Sequence, residues 1–140
     1  MSQDGYIDPY AGRFSARLGD PSYECQNGVP VGSGWVEQKV YVPKNRSTLS
    51  VQYNIFSQDI NPEFDSFDIS IEDTLVFREA RRTGPYGCEP QMLISLGWRE
   101  AEVDLASYRG QWVDLRLAVR NGPDGWYNTW VYLDQVRFKE

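Results

Sequence analysis

Val113, Leu115, Leu117 and Val119 share one phase of a continuous segment, and Asp114, Arg116 and Arg120 share the other. A period of two sends successive side chains to opposite faces, so this segment buries one apolar side only as a β-strand. The same signature recurs along the chain. Val36, Gln38, Val40 and Val42 are stopped by Pro43, and Leu49, Val51, Tyr53 and Ile55 follow. Phe67, Ile69 and Ile71 lead through a turn at Glu72-Asp73 into Leu75 and Phe77. Phe14-Ala16-Leu18, residues 99–105 and residues 127–138 supply the remaining strands. Helical periodicity is hard to find, and turn residues punctuate the strands at short intervals. The pattern predicts an all-β fold, an antiparallel β-sandwich.

At 140 residues the chain fits one domain, 1–140, large enough to bury a core without metal or disulfide staples. No internal repeat or low-complexity linker divides it. A formal charge of −6 disfavours nucleic acid and anionic membranes as partners, because both reward Lys and Arg. No apolar run is long enough to span a bilayer. Met1-Ser2-Gln3-Asp4-Gly5 has neither the basic nor the apolar region of a signal peptide, so either the protein stays inside the cell or the chain is a module of a longer secreted or cell-surface protein; a start almost directly in fold material favours the second.

If successive strands run up and down, every second connection falls at the same end of the sandwich. The long segments Gly19–Gly34, Ser57–Glu63, Ala80–Leu96 and Arg120–Trp126 then gather at one end, where binding loops usually reside. The opposite end collects Asp8–Gly12, Pro43–Ser47, Glu72–Asp73 and Ala106–Gly110. Cys25 and Cys88 both fall in the long-loop group, and a disulfide between them is expected. It would restrict the unfolded chain by roughly 4 kcal/mol and would fit an extracellular compartment.

The chain has no histidine, which removes the Ser-His and Cys-His relays and the usual zinc sets, and it carries no phosphate-binding glycine motif. Paired carboxylates can hydrolyse a glycoside, but acidic loop residues are usually only solvated, and the expectation is a non-enzyme. Aromatic side chains are the stronger clue, since Trp and Tyr present flat apolar faces with a polar edge that suit sugar rings. Tyr23, Tyr86, Trp126 and Tyr127 lie in or beside the long loops, with Asp65, Asp124 and Asn128 as hydrogen-bond partners. These seven are the candidate carbohydrate-binding residues. Trp35, Trp112, Trp130 and Tyr132 oppose the main apolar phase and read more simply as cross-strand pairs covering a sheet.

Four phrases in order carry a resemblance: Gly12-Arg13-Phe14-Ser15-Ala16-Arg17-Leu18-Gly19, Gln38-Lys39-Val40-Tyr41-Val42-Pro43 with Thr48-Leu49-Ser50-Val51-Gln52-Tyr53, Phe64-Asp65-Ser66-Phe67, and Trp130-Val131-Tyr132-Leu133-Asp134-Gln135-Val136. Together with Asp104-Leu105-Ala106-Ser107-Tyr108-Arg109-Gly110-Gln111, they resemble bacterial extracellular jelly-roll modules, the carbohydrate-binding and MAM-like domains of secreted enzymes and adhesins. The resemblance implies a jelly-roll topology and a non-catalytic, monomeric module whose partner is a polysaccharide or glycan. A MAM-like protein-interaction or adhesion role without sugar specificity is the alternative. It also implies a structural Ca²⁺ held by Asp134 near the exit of the last strand, with Asp8 or Asp4 replacing the acidic residue of a leading strand that is missing here.

Overall fold

The computed structural model describes residues 16–19, 32–57, 65–80, 94–121 and 129–139. Among them the chain forms strands β1 (Ala16–Leu18), β2 (Gly32–Tyr41), β3 (Thr48–Ser57), β4 (Ser66–Ile71), β5 (Thr74–Glu79), β6 (Ile94–Ser95), β7 (Arg99–Asp104), β8 (Trp112–Asn121) and β9 (Thr129–Lys139). A single 3₁₀ turn, Ala106–Tyr108, joins β7 to β8. Every pairing is antiparallel. The first sheet runs β1-β9-β3, with β6 and β7 taking successive stretches of the far side of β3. The second runs β2-β8-β4-β5. The expected all-β architecture is therefore present as two antiparallel sheets.

The alternating phases decide which face is inside. Leu49, Val51, Tyr53 and Ile55 of β3, with Val131 and Leu133 of β9, share one core with residues of the second sheet. Those are Val113, Leu115, Leu117 and Val119 of β8 and Phe67, Ile69 and Ile71 of β4. The Tyr53 ring joins the layers directly, its centroid 5.0 Å from Phe67 and 5.8 Å from Phe77. Removing this apolar surface from water is the main force holding the sheets together.

Registers fix the ends of the sandwich. Leu18 faces Val131, Ser57 faces Thr129 and Ile94, Gly32 faces Asn121, and Ser66 faces Arg120. These termini belong to one end, and they flank the long segments that the up-and-down argument assigns to it. At the opposite end β4 and β5 close through Glu72 and Asp73, whose φ angles of 49° and 64° make a tight hairpin turn. Glu72 is also tied sideways. Its N–H donates to the Asp114 carbonyl at 3.0 Å, and its carboxylate accepts the Asp114 N–H at 2.7 Å.

The two flanks of the sandwich differ. Along one, the Tyr53 hydroxyl and the Arg99 guanidinium both donate to Glu79, clasping edge strand β5 to β3 and β7 of the other sheet. Along the other, β1 covers β9 only from Val131 to Leu133. Beyond that point a cleft of about 640 Å³ opens between β9 and β2, walled by Val36, Val40, Leu115, Leu117, Leu133 and Phe138 among others. This explains why Val36 shares the inward phase yet is 49% exposed.

Candidate binding face

Cross-strand partners point to the same face, so the registers of the second sheet assign its outer surface. β2 contributes Trp35, Glu37, Lys39 and Tyr41 beside Ala118, Arg116, Asp114 and Trp112 of β8. β4 continues the rows with Ser70 beside Arg116, Asp68 beside Ala118 and Ser66 beside Arg120. Trp112 is 66% exposed, Trp35 54% and Tyr41 41%, a display of aromatic surface unusual for a sheet already packed on its inner side.

The rings form two platforms. Tyr41 and Trp112 are direct neighbours with centroids 5.6 Å apart and planes inclined by 58°. Trp35 stands beside Ala118, about 20 Å further along β8 by the rise of a strand. The Arg116 guanidinium lies 5.3 Å from the Trp35 ring centroid, within cation–π range. Charged pairs fill the space between the platforms. Lys39 Nζ reaches Asp114 Oδ1 at 3.0 Å, and Arg116 Nη2 reaches Glu37 Oε2 at 3.4 Å. The hydrogen bond to Asp114 holds the Lys39 ammonium above its ordinary pKa. Arg78 grips Asp68 with two bonds of 2.8 Å, which also raises the guanidinium's pKa. The result is a flat face with two apolar platforms and paired hydrogen-bonding groups between them.

Of the residues picked from sequence for carbohydrate, Tyr23, Tyr86, Asp124, Trp126, Tyr127 and Asn128 lie outside the described residues. So do Cys25, Cys88, Asp4 and Asp8. Asp65 is described, and it is 3% exposed. Its Oδ2 accepts a 2.6 Å bond from Thr129 Oγ1, which lies 2.8 Å from Ser57 Oγ. This buried trio links strand ends of both sheets at the base of the long-loop end. Trp130 and Tyr132 follow the sheet-covering expectation, being 6% and 0% exposed, with Trp130 stacked at 5.6 Å on Phe56. Trp112 also pairs across strands, with Tyr41, but it and Trp35 remain exposed. Alternation places them on an outer face, as it does Trp130, and only the fold shows that the outer face of the second sheet is the one left in water.

Asp134 faces Gln52 in the middle of β9 rather than at its exit, because the strand continues past a bulge to Lys139. Its Oδ1 accepts the Gln135 N–H at 2.7 Å, bracing a residue with φ of 47°. Calcium requires six to eight oxygens, and no group of three or more metal-ligating side chains occurs among the described residues. The described part of the proposed Asp8–Asp134 site thus supplies a single carboxylate already engaged with backbone. Comparison of the chain with protein-family models, curated proteins and solved structures finds no match.

Proposed function

We propose that this chain is a non-catalytic carbohydrate-binding module of a secreted or cell-surface protein, folded as a jelly roll. The observation that carries the reading is the exposure of Trp35, Tyr41 and Trp112 on the outer face of the second sheet. Exposed indole and phenol faces stack on the C–H faces of pyranose rings, and the neighbouring Lys39, Asp114, Glu37 and Arg116 are placed to bond ring hydroxyls. Platforms about 20 Å apart suit an extended polysaccharide better than a single sugar.

Nested pairing supports the topology. If β6 and β7 count as one bent edge strand, the first strand pairs with the last, the second with the next to last, and so inward to β4 with β5. A long hairpin folded over on itself gives this order, which is how a jelly roll is wound.

A polysaccharide screen of the wild-type chain, followed by affinities of Trp112→Ala and Trp35→Ala, tests the function. Removing a stacking anchor typically costs 2 kcal/mol or more, so each change should weaken binding roughly thirtyfold with the melting temperature preserved. Trp126→Ala, measured in parallel, asks whether the long-loop end contributes. A screen without any binder, or unchanged affinity in all three folded variants, would instead favour a MAM-like interaction module.

A further inference from the structure

β2 is the edge strand of the second sheet, and among the described residues nothing pairs with its outer side. Ten residues of open, extended backbone without proline invite pairing, and folded proteins normally blunt such edges. Residues 34–39 are all exposed, so the edge is accessible to another chain. Its sequence is complementary to itself. Read outward from Gln38, the order is Lys39 against Glu37, Val40 against Val36 and Tyr41 against Trp35.

We infer that two copies of this chain associate through β2, antiparallel across a twofold axis at Gln38, to make one continuous eight-stranded sheet. This goes beyond the carbohydrate reading and does not rest on it. A twofold interface must use the same patch on both partners, and few strands satisfy that condition residue by residue. Here the rows on either side of Gln38 do, from Trp35 to Tyr41. On the outer face Asp114, Lys39, the partner's Glu37 and the partner's Arg116 fall in one line across the four strands, alternating in charge. The intramolecular pairs Lys39–Asp114 and Glu37–Arg116 supply the outer links of that line. The next row sets Trp112, Tyr41 and the partner's Trp35 side by side, extending the existing Tyr41–Trp112 contact. On the inner face Val40 meets the partner's Val36, at the mouth of the cleft where Val36 is half exposed. Symmetry repeats each row on the far side of the axis. Cross-strand pairs of opposite charge, aromatic rings and β-branched residues are the ones that stabilise a sheet.

Sedimentation equilibrium of the full chain over a concentration series tests this. The wild type should show a concentration-dependent dimer. Lys39→Glu places two carboxylates opposite each other on both sides of the axis and should shift the equilibrium at least tenfold toward monomer. Adding Glu37→Lys to that variant should bring the dimer back, and melting curves check that each protein is folded. Independently, Gln38→Cys should give a disulfide between the two copies of position 38 on mild oxidation, identified by mass spectrometry of the linked peptide. A monomer at every concentration overturns the proposal. So does a dimer that Lys39→Glu leaves intact, or a dimer in which position 38 never cross-links.

Discussion

Gly19 leaves β1 with φ of 91°, and a Cβ built there would stand 2.9 Å from the Trp130 Cβ and 3.1 Å from the Thr129 carbonyl oxygen. Both the backbone conformation and the space demand glycine. Gly19→Ala should therefore lower stability by about 2–3 kcal/mol in urea unfolding. Asp73 makes the opposite case. It too adopts a left-handed conformation, but at an exposed hairpin turn. Asp73→Gly should raise stability by about 0.5–1 kcal/mol, while Glu72→Gly should gain less, because it removes the carboxylate that accepts the Asp114 N–H. A turn at Glu72-Asp73 is legible because apolar alternation stops on one side and resumes on the other. The bond from Glu72 to Asp114 is not legible, since it joins residues that only the fold brings together.

Among the strands, β7 and the end of β9 are held by a charged cluster whose strength depends on pH. Lys139 Nζ donates to Glu100 and Glu102, and Ser50 Oγ donates to Glu100 at 2.7 Å. These bonds, Lys139's first, lower the Glu100 pKa from 4.5 to about 2, and raise that of Lys139. A carboxyl favoured as the anion in the fold contributes stability that is complete above its unfolded pKa and is lost as pH falls through the folded one. Glu100→Gln should therefore flatten the decline in melting temperature between about pH 4.5 and pH 2, the wild type falling more steeply. An unchanged slope would mean that the cluster is too solvated to matter. Element type is legible where alternation is long, as in β3 and β8. It fails for β6, because two residues have no period, and Ile94-Ser95 disappears into the long segment before it. Alternation also cannot say which outer face stays wet. Trp130 and Trp35 both oppose the apolar phase, yet one is buried and the other exposed.

For the whole molecule, the assignment of connections to two ends was legible from strand count alone, since each antiparallel strand reverses the chain. The sheet order was not, because pairing of β1 with β9 leaves no mark on either sequence. That pairing has a consequence for how the protein is made. β9 lies between β1 and β3, and follows both in the chain. While it is still within the ribosome, the strands on either side of it have been synthesised but lack the neighbour that joins them. The first sheet therefore cannot close until β9 has emerged, and until then the edge of β3 that pairs with it, from Thr48 to Ser57, stays open. Folding must wait for contacts between the most distant parts of the chain, the slowest kind to form and the most open to aggregation, so this small domain should depend on chaperones out of proportion to its size.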